Sequence, residues 1–342
     1  MIARDTFERL RAGRIAVLSV LFCALVTLAL CDLTTGASGL SVGEVLAALA
    51  AGHADTALSS LIVWSIRLPM LLTVITVGMA LALAGLSIQT LTGNALASPA
   101  TLGITSAASF GAALAITAEI AVGPVWLGSA LLSLVFALLV SALIWLLGHR
   151  RGMRPSSLIL AGIVMNFFFM ALREYLQYRA SPEVAQLIAG WTFGNLERSA
   201  WLSAAVAGAV LLLALLALLP KCWALTALTL GAERAQSLGV PVARLRIELF
   251  LLSAALVAAS VAFIGTIGFV GLVAPHCAKL MLGSDQRYVM IGSVLMGAVM
   301  MLASTIAAKL LSSGAMLPVG IVTSLIGVPF LLVLLLRAEG AR

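Results

Sequence analysis

LPMLLTVITVGMALALAGLSIQTLTGNALASPATLGITSAASFGAALAITA, residues 68–118, runs for 51 residues without one Asp, Glu, Lys or Arg. A helix crosses the hydrocarbon core of a bilayer in about 20 residues, so this stretch is read as two spans. The break between them is GLSIQTLTGNALASPATLG, residues 85–103, rich in Gly, Thr, Ser and Asn and holding Pro99. Irregular backbone at membrane depth survives only where it is buried in protein or lines a cavity. The break is therefore expected to be an internal element.

The composition of the whole chain agrees. Of 342 residues, 62% are hydrophobic and 10% are charged, against about 25% charged in soluble domains. The apolar runs are continuous, unlike the alternating segments of roughly ten residues that build an outer-membrane barrel. The net charge of +7 does not point to nucleic acid, because the basic residues sit in short loops between spans. Cys23, Cys31, Cys222 and Cys277 contain no C-x-x-C pair and are read as small apolar fillers. His53, His149 and His276 are scattered and form no metal cluster.

Outward from 68–118 the pattern repeats. Residues 15–31 form an apolar run after a polar segment with Arg4, Arg9, Arg11 and Arg14, and are read as a retained first span rather than a signal peptide. Ser41 and Glu44 have the spacing of a capping box before a short helix to Ala51. Further spans fall at 124–147, 156–177 and 199–219, then from Arg246 to Ile264, within the glycine-rich 264–283, at 288–310 and at 317–336. The total is ten. An even count puts both termini on one side. The opposite side then keeps Arg67, Arg173, Arg179, Arg198 and Lys309, only five of the 20 Lys and Arg. By the positive-inside bias, both termini are expected in the cytoplasm, together with residues 1–14 and the polar stretch 221–246, KCWALTALTLGAERAQSLGVPVARLR.

That stretch does not look built for membrane stability. It carries Lys221, Glu233, Arg234, Arg244 and Arg246. Gly239-Val240-Pro241 is expected to end one helical piece and reset the chain. No nucleotide-binding G-x-x-x-x-G-K-[ST], catalytic triad, H-E-x-x-H or paired carboxylate occurs, so the chain is read as no enzyme. Intramembrane acids, the usual relays of ion-coupled carriers, are also missing. Gln89, Asn94, Asn166 and His276 are the strongly polar residues within or near the apolar core. Energy is expected to enter from outside the chain, through the cytoplasmic loop. A secondary carrier or channel without an ATPase is the alternative of another class.

A series of motifs then stands in one order: Ile66-Arg67-Leu68-Pro69, Ala84-Gly85 with Gln89, Asn94-Ala95-Leu96-Ala97-Ser98-Pro99, Trp191-Thr192-Phe193-Gly194, Leu230-Gly231 through Ala235 to Leu238-Gly239-Val240, Ile267 to His276, Asp285-Gln286-Arg287, and Leu317-Pro318-Val319-Gly320 to Gly327. Over about residues 60–337 the chain resembles the permease subunit of the ABC importers for iron–siderophores, haem and vitamin B12. The resemblance implies an all-α, polytopic type II importer fold forming a single transmembrane permease domain over 1–342. It also implies a dimer with itself or a paralogue, two ABC ATPase subunits holding ATP and Mg, and a periplasmic binding protein. No cofactor on this chain and no nucleic acid are expected.

The resemblance assigns roles by position. Leu230, Gly231, Glu233, Arg234, Ala235, Leu238 and Gly239 fall in the loop that forms two short coupling helices against the ATPase. Arg67 is the expected exposed contact for the binding protein. The family's second arginine after the Pro is Met70 here, and its Asp-x-x-Ala-Arg is Ser304-Thr305-Ile306-Ala307-Ala308. Lys309 follows one residue later and is a partial substitute. Ala95 and Thr266 stand where prolines are usual, which softens those turns. The pathway is implied along the fifth, eighth and tenth spans. Asn166, whose amide is costly in lipid, lies mid-way along the fifth among Met165, Phe167, Phe168, Phe169 and Met170. With Gln89 and Asn94 it is the pathway candidate, in a wall expected to be mostly apolar. The expected cargo is an iron–siderophore complex, with haem and cobalamin as alternatives.

Overall fold

The computed structural model describes residues 2–36, 38–53, 55–120, 125–150, 155–312 and 317–339. Arg151, Arg154 and Arg342, which the positive-inside reading puts in the cytoplasm, lie outside them, as does most of the 312–318 connection. Among the described residues every regular element is helical.

Among the described residues, seven helices are long and apolar enough to cross a membrane. They are α1 (Ile2–Thr34), the continuous Leu58–Thr92 rod, α6 (Val125–Arg150), α7 (Pro155–Arg179), the Trp201–Thr229 rod, α12 (Val242–Ile264) and α14 (Gln286–Leu311). The other three expected spans are α5 (Ile104–Thr117), α13 (Val270–Leu282) and α15 (Val319–Glu339). With 14 and 13 residues, α5 and α13 are only about 20 Å long, short of the roughly 30 Å hydrocarbon core. The chain before each helix makes up the difference: irregular backbone and one 3-10 turn, Pro99–Leu102, at 93–103 before α5, and irregular backbone at 265–269 before α13.

The break after α4 is shorter than the sequence suggested. Helix α4 (Leu68–Thr92) runs on through Gly85 and stops at Gly93, which has φ +63°. Gly85 is a contact point and not a breaker: a Cβ there would stand 1.6 Å from the Gly271 carbonyl oxygen of α13. Nearly every face of α4 is buried, against α9 (Trp201–Leu218), α12, α13 and α14. A helix apolar all round is suited to that central place. Helix α5 packs on α6 and α7, and α1 lies against α14.

The rod ahead of α4 contains α3 (Leu58–Ile62) and a wide π turn, Val63–Arg67, where the Leu68 N–H donates to the Val63 carbonyl. The turn directly precedes Pro69, which has no N–H to give, and such bulges often mark functional positions. Helix α2 (Val42–Ala51) starts at the expected capping box: the Ser41 backbone N–H donates to Glu44 Oε2 at 2.7 Å, and the Glu44 N–H to Ser41 Oγ at 3.3 Å. Cys222 is buried as a filler, whereas Cys23 and Cys31 sit exposed on the outer face of α1.

At the start of α14, Asp285 caps the helix and pairs with Arg287 at 3.0 Å and Arg14 at 3.5 Å. Burial pushes the Asp285 carboxyl up, but the Arg287 guanidinium and N–H, with Arg14, outweigh it and hold it below the usual carboxylate range. Arg14 also lies 5.1 Å from the Tyr288 ring centroid, so α1 is fastened to this end of α14.

Candidate translocation pathway and subunit contacts

Asn166 and Arg173 are seven residues apart on α7, close to two full turns, so both point to one side of the helix about 10 Å apart along it. Both line a cavity of about 720 Å³ between α7, α5 and α15. Its wall carries more polar groups than the sequence suggested: Ser106 and Ser109 of α5, Thr192, Thr266, and Ser324 of α15. The Ser106 hydroxyl donates to the Asn166 side-chain oxygen. Asn166 also borders a second hollow of about 380 Å³ with Asn94, Leu96 and Phe167. The structure thus brings Asn94 and Asn166 together. Phe169 is buried, edge-on against Phe136 and tilted against Phe110, as ordinary packing.

Gln89 is not brought to this place. It is 2% exposed, donates to the Leu272 carbonyl at 3.1 Å and accepts from Lys279 Nζ at 2.9 Å. Its amide binds α4 to α13 and lines neither hollow. The Leu272 carbonyl and the Lys279 ammonium, both on an otherwise apolar helix, explain why an amide is needed there.

Local backbone chemistry shapes the cavity mouth. After α8 (Pro182–Thr192) the turn 192–195 is knitted to two neighbouring helix ends. The Asn195 N–H donates to the Ile264 carbonyl at 2.9 Å, and the Val319 and Gly320 N–H groups donate to the Gly194 and Phe193 carbonyls at 3.1 and 3.0 Å. The Thr266 hydroxyl donates to the Thr192 carbonyl. Three motifs distant in sequence meet here. Opposite them, Gly103, at φ +71°, lets the 99–103 turn reach α7, since a Cβ there would stand 2.7 Å from the Asn166 nitrogen. Arg173, Ser106, Ser109, Thr192, Thr266 and Ser324 escaped the sequence reading as pathway residues. The seven-residue spacing from Asn166 to Arg173 was the one available signal.

At the other end of α12 the polar stretch is more helical than expected. The Trp201–Thr229 rod contains α9, a 3-10 turn at Leu219–Lys221 and α10 (Cys222–Thr229). The two short helices are α10 and α11 (Ala232–Ser237), and they meet at Leu230 and Gly231. The expected hinge at Gly239-Val240-Pro241 is instead the junction between α11 and α12. Gly231, with φ +107°, occupies backbone space that L side chains rarely adopt. Ala235 is fully buried beneath the turn, while Leu230, Glu233, Arg234, Leu238 and Gly239 face outward. Lys221 and Arg244 are drawn away by Glu248, at 2.5 and 3.4 Å. What remains outside is a small apolar and charged knob.

Arg67 was expected exposed and is 6% exposed. The π turn directs its guanidinium inward, where it donates to the Leu33 carbonyl and, at 2.6 Å, to the Ser38 hydroxyl. Lys309 is likewise turned inward, forming an ion pair with Asp32 Oδ1 at 2.8 Å and donating to the Asp32 carbonyl at 2.9 Å. Neither charge stands free on the surface; both hold the end of α1.

Helices made to cross a membrane around a polar-lined hollow, with an exposed knob at one end, define a multi-pass transport permease. The chain belongs to the FecCD transport family, whose model matches residues 23–337. It is 36% identical over 283 residues to the hemin transport system permease protein HmuU of Yersinia pestis, covering 82% of this chain and 85% of that one. It is 32% identical over 318 residues to the ferric enterobactin transport system permease protein FepG of Escherichia coli, covering 93% and 94%. A solved chain described as a metal-chelate-type ABC transporter in an inward-facing conformation superposes with a TM-score of 0.83 at 32% identity, covering 94% of this chain and 99% of that one. The protein is therefore an ABC importer permease subunit of type II fold. The relatives differ in cargo.

Proposed function

We propose that this permease moves an iron–siderophore complex from a periplasmic binding protein into the cytoplasm, working as a dimer in the inner membrane with both termini cytoplasmic. Two ABC ATPase subunits, which bind ATP and Mg, press on the α10–α11 knob. The observation that carries this reading is that knob: Leu230 and Leu238 are left exposed above a buried Ala235, an arrangement that gains nothing for the isolated chain. The binding protein docks at the opposite end, where Arg67 and Lys309 set the shape of the surface by pinning α1 and do not act as free charges. This chain binds no cofactor in the proposed cycle.

Haem or cobalamin carried by the same machinery is the second reading for cargo, since a polar hollow of this size does not by itself name a chelate. The test is purification from its host with associated subunits, followed by uptake into proteoliposomes. An ATPase should co-purify, and vanadate should stop accumulation of iron chelate. Uptake that persists with vanadate and without ATP would assign the protein to the carrier or channel class.

A further inference from the structure

The 720 Å³ cavity holds one cation and no carboxylate. Arg173 lines it, while no Asp or Glu does among the described residues. The guanidinium is poorly satisfied where it sits. Its side chain is 18% exposed, and the nearest acid, Glu174, is 3.7 Å away, 58% exposed and on the next position of the helix. Its contact with Ser109 Oγ is 3.5 Å long, and the buried Nε has no hydrogen-bond partner. A guanidinium offers five donors in a planar fork, and leaving such a group partly dehydrated is costly unless a partner arrives. Hydroxyls at Ser106, Ser109, Thr192, Thr266 and Ser324 surround the same space, and they suit an oxygen-rich guest.

We propose that this cavity receives anionic cargo and that Arg173 is the residue that selects it, its fork closing on a carboxylate or comparable oxyanion of the passing complex. Fork-to-carboxylate contacts are bidentate and charge-assisted, so they favour such a guest over a neutral chelate of equal size. The long Ser109 and Glu174 contacts act as a resting position from which the guanidinium swings. The proposal rests on the importer reading and narrows its cargo.

The test uses proteoliposomes holding the assembled importer with its ATPase and binding protein. The probes are iron(III) citrate, hemin, a neutral iron(III) trihydroxamate chelate, and molybdate as a free oxyanion. The wild type should accumulate an anionic probe with ATP. Arg173→Gln should slow that uptake about tenfold or more, the usual worth of a lost charged hydrogen-bond partner, while binding-protein-stimulated ATPase and thermal stability stay as in the wild type. Arg173→Lys, which keeps the charge but loses the fork, should fall between them, and it serves alone if the Gln variant does not assemble.

Equal uptake of the anionic probe by wild type and both variants would overturn the proposal. So would a wild type that carries the neutral chelate alone. Arg173-dependent uptake of molybdate without any iron chelate would support the anion site while removing the iron–siderophore reading. ATP-independent uptake that still depends on Arg173 would remove the coupling reading and leave the site standing.

Discussion

Lys309 Nζ of α14 stands 2.8 Å from Asp32 Oδ1 of α1, with the two side chains 10% and 1% exposed. Arg67, delivered by the π turn, binds the Leu33 carbonyl one residue on. Two cations on separate helices thus hold the final turn of α1. Removing one member of a buried pair leaves the other uncompensated, at a cost of about 3–5 kcal/mol. Lys309→Met should therefore lower the unfolding temperature in detergent sharply. The double variant Lys309→Met with Asp32→Asn should recover much of the loss. A single variant as stable as the wild type would show that water already solvates the pair.

A second prediction concerns the crossing of α4 and α13. Small residues let membrane helices approach backbone to backbone. At Gly85 even Ala would place its Cβ 1.6 Å from the Gly271 oxygen. Overpacking usually costs about 1–3 kcal/mol, and a backbone clash cannot be relieved by a rotamer. Gly85→Ala should therefore reduce the yield of monodisperse protein and lower its melting temperature. A glycine with open space around it, Gly208, gives the comparison: its Cβ would meet only Thr76 at 3.5 Å, and Gly208→Ala should be neutral or stabilising.

These positions show how far the sequence could be read. Charge-free runs such as 68–118 revealed the spans, because lipid leaves a helix few alternatives. The Ser41–Glu44 box was legible because its two hydrogen bonds close within three residues. Gly85 was misread because flexibility and close approach demand the same residue type, and only the partner Gly271 distinguishes them. Arg67 was misread because nothing local says that the Leu33 carbonyl comes to meet it. Arg173 was hidden by its neighbour Glu174, which made both look like an ordinary span end. Burial by distant segments is the information missing in each case.

The segment between α1 and the rod should respond to acid. The backbone N–H and hydroxyl of Ser41 hold the Glu44 carboxyl below its usual value. The Ser60 hydroxyl, then the Ala57 N–H, do the same for Asp55. Both folded values are depressed. Their contribution is therefore complete above the unfolded carboxylate values, near pH 4, and is lost as pH falls below them through the folded values. Measured against the intrinsic rate at each pH, hydrogen-exchange protection over residues 41–60 should fall below about pH 4, and Glu44→Gln with Asp55→Asn should show the weaker protection already at neutral pH. Acid-insensitive protection in the wild type would mean that packing, not these caps, orders the segment.

The α10–α11 knob separates assembly from coupling. A Cβ at Gly231 or Gly239 meets nothing within 4 Å, yet both residues have positive φ, +107° and +83°. A bulky side chain at either position therefore does not collide with the fold but forces the turn toward another backbone angle, at about 1–2 kcal/mol. The helical body has no reason to fail. The knob, however, is displaced relative to Ala235, its buried anchor. Gly231→Val and Gly239→Val should each assemble in the membrane with normal melting behaviour and lose the stimulation of ATPase by loaded binding protein. Leu230→Asp and Leu238→Asp, which keep the turn but remove its exposed apolar atoms, should instead weaken retention of the ATPase during purification. Ala235→Glu should disrupt the knob itself, because the carboxylate would be driven into its core. Normal uptake by both valine variants would sink the assignment of this turn as the joint through which ATP hydrolysis moves the helices.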